Sequence, residues 1–393
     1  MIDLTRNILA CSALALLSAC GGGAGHGAPP ETTMSETARL GELIFKDPGL
    51  SASGQLACIS CHAPETGHAG ANALPAQFGG AGMDQQGLRT SPSIRYLEQN
   101  SAFHFDAEGT PTGGFFLDGR AGSLQEQAVQ PLLGAREMAN RSAGEVAQKL
   151  ARASYAGRFR LQFGADILSR PDDALARIAL ALQAYQREAA EFHSYDSQYD
   201  AFLRGQASLS TQQLRGLGLF NSPAKGNCAA CHPSARRPDG GMPLFTDFSY
   251  DNLGVPRNPA LAQNADPAFF DLGLCARPAG DLAARSELCG AFKVPSLRNV
   301  ALRGSLFHNG RFTSLKEALT FYVQRDTSPE KWYPLKADGS VEKFDDLPEA
   351  YRGNVNTSEA PYNRRRGDAP ALSDAEIDDL IAFLNTLTDG YAR

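Results

Sequence analysis

The chain contains the stretch Cys58-Ile59-Ser60-Cys61-His62 and repeats its pattern as Cys228-Ala229-Ala230-Cys231-His232. In a Cys-x-x-Cys-His run both thiols can form thioether bonds to a haem, and the histidine that follows can ligate the iron from beneath the ring. Zinc is the alternative, since paired Cys-x-x-Cys units also bind this metal. The spacing favours haem because a histidine directly follows the second cysteine in both copies. The sequence therefore predicts two haem c groups, with these attaching and iron-ligating residues: Cys58, Cys61 and His62 for the first, Cys228, Cys231 and His232 for the second.

The N-terminal segment indicates export. Residues 1–20 have a short basic start and an apolar stretch, Ile8 to Leu17, that is too short to span a bilayer. The segment ends in Leu17-Ser18-Ala19-Cys20, which resembles a bacterial lipobox. We expect a lipoprotein signal peptide over 1–20, lipidation at Cys20, a flexible Gly- and Pro-rich tether over 21–34, and anchoring to the outer membrane. An ordinary cleaved signal peptide is the alternative, and both place the protein in the periplasm.

Composition and cysteine count narrow the class of protein. Apolar residues make up 42% of the chain and the net charge is −6, which favours a globular protein and argues against nucleic-acid binding. No further apolar run is long enough to cross a membrane, so the lipid anchor would be the sole membrane attachment. Beyond the haem motifs and the export signal, Cys275 and Cys289 remain, and in an oxidising compartment we expect them to form a disulfide. A redox role for this pair is the alternative.

Three further pairs of motifs recur in the same order in the two halves of the chain. They are Leu40–Phe45 with Arg215–Phe220, Pro92–Arg95 with Pro295–Arg298, and Asp118–Leu124 with Asn309–Leu315. We interpret them as an internal duplication that gives two cytochrome c-like haem domains, an N-terminal one over 35–205 and a C-terminal one over 206–393. Apolar residues at helical spacing in Glu145–Ala153, Asp172–Ala190 and Ala375–Leu387 predict a mainly α fold with few short strands.

Aligning the repeats from Gly119 and Gly310 sets Pro131 opposite Tyr322. If this position faces the distal side of each haem, Tyr322 can ligate the second iron through its phenolic oxygen. Proline offers no donor, so the first iron would stay open to hydrogen peroxide. Gln127 and Glu137, which lie near Pro131, are suited to hydrogen bonding and proton transfer. A core tyrosine at 322 and a solvated carboxylate at 137 are the alternatives.

These motifs resemble the bacterial dihaem cytochrome c peroxidase and MauG superfamily over essentially all of the mature chain. The stretches that carry the resemblance are the two haem motifs, Phe116–Arg120, Glu126–Ala128, Pro131, Glu137-Met138, Phe292–Val300 and Phe307–Gly310. Peroxidases of this family have a removable histidine about sixteen residues past the first motif, which here falls near Phe78, and a methionine in the place of Tyr322. Their absence makes the chain more similar to MauG and the MbnH proteins, in which a tyrosine ligates the second haem. We expect His68 to lie on the loop surface.

The resemblance implies a periplasmic enzyme that uses hydrogen peroxide to form a high-valent dihaem state, which then oxidises a partner protein at tryptophan. Glu137 would be its proton carrier, with Gln127 and Pro131 beside the open iron. One alternative is a dihaem peroxidase that takes electrons from a small cytochrome or cupredoxin. Another is a dihaem electron carrier without enzymatic activity.

The chain departs from the family pattern at three places. Leu117 stands where a tryptophan between the haems is usual, and Gly226 stands where MauG has the tryptophan that exchanges electrons with its substrate. The family's calcium site would here involve Thr90, where asparagine is usual, and the backbone carbonyls of Arg303 and Ser305. We therefore expect a different way of docking the substrate, and we keep Ca²⁺ as an expected second cofactor.

Overall fold

Ten α-helices and six two-residue strands make up most of the regular structure of residues 34–392, the part of the chain that the computed structural model describes. The helices are α1 (Glu36–Phe45), α2 (Cys58–Cys61), α3 (Leu124–Leu133), α4 (Ala143–Leu150), α5 (Ala156–Phe163), α6 (Pro171–Glu188), α7 (Gln198–Leu203), α8 (Thr211–Asn221), α9 (Leu315–Gln324) and α10 (Asp374–Asn385). The strands pair antiparallel as β1 (Phe78–Gly79) with β2 (Gln85–Gln86), β3 (His104–Phe105) with β4 (Pro111–Thr112), and β5 (Tyr250–Asp251) with β6 (Phe292–Lys293).

The mainly helical class predicted from sequence is confirmed. The three helices predicted from apolar spacing correspond to α4, α6 and α10, and each end lies within three residues of the predicted one. Across residues 34–392, no helix has the length and apolar character needed to cross a membrane. The predicted signal peptide, its Cys20 and all but the last residue of the predicted tether lie outside the described residues.

The same helix crossing occurs in both halves and depends on one glycine in each. Helix α1 packs against α6, and α8 packs against α10. A Cβ added at Gly41 would overlap the carbonyl oxygen of Ala181, and one added at Gly216 would overlap the carbonyl oxygen of Asp379. Both glycines belong to the repeated motif before a haem-attachment run, and they let two helix backbones approach closely.

The repeated Gly-Arg motif starts another pair of equivalent helices. Ser123 caps α3 by accepting a hydrogen bond from the amide of residue 126, and Ser314 caps α9 in the same way through residue 317. Phe116 and Phe307, which precede these caps by the same interval, both have φ of 64°. Pro131 and Tyr322 are each the eighth residue of their helix, so the sequence alignment of these two positions holds in three dimensions.

Each half has its own apolar core. The first contains, among others, Leu40, Phe45, Phe159, Ile178, Leu182 and Phe192. The second contains Phe220, Phe245, Phe312, Phe321, Leu380 and Phe383. Helix α7 precedes the domain boundary predicted at 205/206, yet its Tyr199 packs in the second core.

Ion pairs join loops that are distant in sequence, and one disulfide closes a short loop. Arg89 forms ion pairs with Asp118 at 2.7 Å and with Asp271 at 2.6 Å. A disulfide joins Cys275 and Cys289 in the loop that precedes β6. The ion pairs of Arg89 connect the segment after the first haem motif to the segment after the second.

Replacing Gly216 with Ala tests the helix crossing. The new methyl group cannot avoid the α10 backbone, so we expect the free energy of unfolding to fall by about 1–3 kcal/mol. The matched control is Gly218→Ala in the same helix, where a Cβ would meet no atom within 4 Å. This control should be neutral or stabilising by up to about 1 kcal/mol. Denaturant unfolding of the haem-loaded protein measures both, and equal effects would contradict the close crossing.

Candidate haem and peroxide sites

The first haem motif forms the short helix α2, and its histidine is oriented by a backbone carbonyl. The amide of His62 donates to the carbonyl of Cys58 at 2.9 Å, which closes the turn over the two thiols. Nδ1 of His62 donates to the carbonyl of His68 at 3.1 Å. This bond fixes the tautomer and the ring plane, and it leaves Nε2 as the nitrogen able to bind iron.

His68 is fully buried, so the expectation that it lies on the loop surface is wrong. Its ring packs on Phe192 at 4.4 Å between centroids, and its Nδ1 accepts a hydrogen bond from Nε of Arg95 at 2.9 Å. Burial, together with the charge of Arg95, lowers the pKa of His68 to about 3 and keeps the ring neutral. The contribution of His68 to the site is the carbonyl that holds His62.

The second motif repeats this arrangement. Nδ1 of His232 donates to the carbonyl of Phe245 at 2.8 Å. Phe245 and His68 have φ of 54° and 53°, so the residues that supply the two carbonyls both have a left-handed backbone conformation. Burial lowers the pKa of both His62 and His232, which favours the neutral imidazole that ligates metals.

The donor set fits covalently attached haem. Cys58, Cys61, Cys228 and Cys231 are all free thiols. Within residues 34–392 no three His, Cys, Asp or Glu side chains converge closely enough to hold a metal ion, as a zinc site in either motif would require. A cavity instead runs from the second motif towards the first half. Its apolar lining includes Leu253, Val255, Leu297, Leu319, Leu380 and Leu384.

Tyr322 lies in this cavity together with His232 and the second pair of thiols. Loss of hydration raises the pKa of its phenol well above the usual range, and the nearby Cys228 and Cys231 add to the shift. Phe307 holds the ring with a centroid distance of 5.5 Å. The structure therefore brings Tyr322 to the second haem motif, on the helix that the duplication aligned with Pro131.

Glu137 follows α3 and is held by its backbone. The amide of Met138 donates to the carbonyl of Pro131 at 3.0 Å, and the amide of Gly80 donates to the carbonyl of Glu137 at 2.8 Å. Glu137 is exposed to solvent. The surrounding protein still removes part of the hydration of its carboxyl, which raises the pKa of this group, while Arg120 opposes the shift. The carboxylate in turn contributes to raising the pKa of the Cys61 thiol to about 11. Glu137 therefore lies within electrostatic reach of the first haem motif.

Gln127 is buried, with 9% of its surface exposed, and it lines the cavity between the two halves. Leu117 lines the same cavity, and its carbonyl accepts a hydrogen bond from the amide of Lys293 at 2.9 Å. A Cβ on Gly226 would lie 2.9 Å from Sγ of Cys228, so a side chain at that position would crowd the haem-attaching thiol.

Two of the residues predicted around calcium bond to each other, and the third bonds to a different residue. The hydroxyl groups of Thr90 and Ser305 are 2.6 Å apart and form a hydrogen bond. The buried guanidinium of Arg303 donates to the carbonyl of Ser296 at 2.7 Å. Calcium binding here stays a prediction.

Two residues of the cavity were not predicted from the sequence, the buried Tyr362 and the half-buried Lys293. Tyr362 lies with its ring centroid 6.0 Å from that of Tyr322. It belongs to a stretch after α9 that has no matching motif in the first half, so the duplication gave no signal for it. Lys293 donates to the carbonyl of Gly113, and burial lowers its pKa to about 7. It stands within a quoted motif, but its burial depends on residues far away in sequence.

Comparison with known proteins gives a consistent set of similarities. The di-haem cytochrome c peroxidase family, CCP_MauG, matches residues 35–208. The chain is 36% identical over 389 residues to the methylamine utilization protein MauG of Paracoccus denitrificans (strain Pd 1222), covering 97% of this chain and 95% of that protein. The crystal structure of the diheme peroxidase BthA from Burkholderia thailandensis E264 matches with a TM-score of 0.82 and 40% identity, covering 90% of this chain and 86% of the other. A MauG-like protein associated with microbial copper homeostasis matches with a TM-score of 0.61 and 26% identity, covering 92% of each chain.

Replacing Tyr322 with Phe tests its ligation of the second iron. Removing the phenolic oxygen should open that iron, so a cyanide titration of the ferric protein should rise from one equivalent bound to two. Tyr362→Phe is the matched control, since it removes the neighbouring phenol and should leave one equivalent. Two equivalents bound by the unaltered protein, or one by Tyr322→Phe, would assign the ligand to another residue.

Proposed function

Since the chain belongs to the dihaem cytochrome c peroxidase and MauG family, we propose that it uses hydrogen peroxide at its first haem to oxidise a partner protein at tryptophan. Members of this family are dihaem peroxidase-type oxidoreductases with two c-type haems, and they act on a protein or redox partner. The observation that carries the proposal is the contrast between Pro131 and Tyr322 at the same position of equivalent helices. With haem bound, Tyr322 would ligate the second iron, while Pro131 would offer the first iron no ligand.

Haem, when bound, supplies the iron that binds peroxide and stores the two oxidising equivalents. Glu137 accepts a proton from the bound peroxide and returns it to the departing oxygen, which leaves as water. Loss of hydration raises the pKa of its carboxyl, and this direction of shift favours a group that must both accept and donate a proton. Gln127 orients peroxide through its amide but carries no proton at neutral pH.

Tyr322 determines what the second haem can do. Burial keeps its phenol protonated, so it gives up the proton only when iron takes its place. An anionic oxygen ligand stabilises oxidised iron, whereas a methionine sulfur favours the reduced state. With haem bound, the second site would therefore be suited to storing an oxidising equivalent.

The partner is a periplasmic protein, and the exported N-terminal segment with Cys20 would anchor the enzyme to the outer membrane. The similarity to MauG of Paracoccus denitrificans and to a MauG-like protein associated with copper homeostasis supports a MauG-type activity. Because Gly226 stands where MauG has the tryptophan that exchanges electrons with its substrate, this chain would receive its partner at a different place from MauG.

Peroxide reduction with electrons from a small cytochrome or cupredoxin is the second candidate. The observation in its favour is the 40% identity to a protein that is named a diheme peroxidase. Incubating the enzyme with peroxide and a periplasmic extract, then searching for oxidised tryptophan by mass spectrometry, separates the two. Protein-bound kynurenine supports the first candidate, while fast turnover of reduced cytochrome with no modified tryptophan supports the second.

Replacing Glu137 with Gln tests the proton carrier. The reaction of the ferric protein with peroxide should slow by about 10²–10⁴-fold, with haem content and the resting spectrum unchanged. Glu126→Gln, the same chemical change on an exposed carboxylate of α3, is the control and should react at the normal rate. Stopped-flow absorbance measures both. Equal rates for Glu137→Gln and the unaltered protein would assign proton transfer to another group.

The pH dependence of this rate gives a separate test. Only the carboxylate form of Glu137 can accept a proton, so the rate should fall as the pH drops through its pKa. Burial raises that pKa, so the fall should begin at a higher pH than for a solvated glutamate, whose pKa is about 4.3. Glu137→Gln should abolish this dependence. A rate that stays constant down to the pH at which the protein unfolds would contradict the assigned role.

A further inference from the structure

A cleft in the protein surface lies against Tyr362, which also lines the cavity of the second haem motif. The ring of Tyr362 is thus a wall shared by the haem cavity and the cleft. It is 7% exposed, and the guanidinium of Arg325 lies 4.4 Å from its ring centroid. A molecule seated in the cleft would be separated from Tyr322 by this one aromatic ring.

The cleft carries positive charge on a protein whose net charge is −6. Its lining includes Lys343 and the consecutive Arg364, Arg365 and Arg366. Arg366 is paired with Glu330 at 3.2 Å, and Lys343 with Asp326. Within residues 34–392, Arg364 and Arg365 form no ion pair with any carboxylate, so both charges are available to a partner. Arg365 is exposed and Arg364 is half-buried.

We propose that the cleft formed by Arg364, Arg365 and Tyr362 is the docking site of an acidic partner protein, which exchanges electrons with the second haem across the ring of Tyr362. This inference rests on the proposed function only in that a partner protein receives the oxidising equivalents. The negative net charge repels an acidic protein elsewhere, so the unpaired arginines also select the face on which it lands.

No covalent bond in this chain forms or breaks during the electron transfer. One electron passes from the docked partner to the second haem after hydrogen peroxide has oxidised the protein. The partner is oxidised, the haem is reduced by the same electron, and Tyr362 keeps its proton because its ring only bridges the gap. The aromatic ring is the required feature, and the hydroxyl group is dispensable.

Docking is tested with one cytochrome c in two forms, the native basic protein and the same protein made acidic by succinylation of its lysines. Binding to the resting, haem-loaded enzyme is measured at low and high ionic strength without peroxide. We expect the acidic form to bind more tightly and to weaken as salt is added. Arg364→Glu/Arg365→Glu should weaken this binding at least about tenfold.

The control is Arg152→Glu/Arg187→Glu, which changes the net charge equally at two exposed arginines of the first half that form no ion pair within residues 34–392. It should change the affinity by less than about twofold. Equal weakening in the two double variants, or tighter binding of the basic cytochrome, would overturn the proposal.

The bridging role is tested by mixing peroxide-treated enzyme with the reduced, succinylated cytochrome. At a cytochrome concentration that saturates each variant, Tyr362→Leu should slow oxidation of the cytochrome about tenfold or more, whereas Tyr362→Phe should keep the normal rate. A normal rate in Tyr362→Leu would remove Tyr362 from the path. Because the binding measurement needs no peroxide and no tryptophan, failure to find oxidised tryptophan would count against the proposed function alone.

Discussion

The hydrogen bond from each haem-motif histidine to a backbone carbonyl is the constraint on which both sites depend. The two carbonyls belong to His68 and Phe245, and both residues have a positive φ that costs free energy in a side-chain-bearing residue. The repeated Pro-Ser-aliphatic-Arg motif helps to hold these turns in place. Arg95 donates to the His68 ring at 2.9 Å, and Arg298 donates to the carbonyl of Pro243 at 2.8 Å. The motif is thus explained by ligand orientation as well as by packing.

The duplication sets up equivalent sites, and one substitution makes them different. Helices α3 and α9 begin with the same serine cap, so their eighth residues, Pro131 and Tyr322, occupy corresponding positions. Proline at this position in α3 has no group that can ligate iron, whereas tyrosine in α9 supplies an oxygen. In the proposed mechanism, this difference gives one reactive haem and one storage haem.

Local pattern predicted much of this architecture, and long-range packing accounts for what it missed. Residue spacing along the chain predicted the haem motifs, the helices α4, α6 and α10, and the alignment of Pro131 with Tyr322. Such spacing is visible in the sequence because the period of a helix determines where its apolar residues fall. The burial of His68 depends on its contacts with Phe192 and Arg95, which lie in other segments of the chain. The sequence around His68 therefore does not indicate that it is buried. Tyr362 was not predicted for a related reason. The segment that contains it has no counterpart in the first half of the chain, so comparing the two halves did not identify it.

Electron paramagnetic resonance of the resting ferric protein tests the central claim, the asymmetry of the two haems, most directly. The account predicts one high-spin signal from the haem held by His62, which has no second protein ligand, and one low-spin signal from the haem held by His232 and Tyr322. Two low-spin signals of equal weight would mean that a side chain closes the first iron as well. That result would contradict the open peroxide site and the functional difference between the two halves.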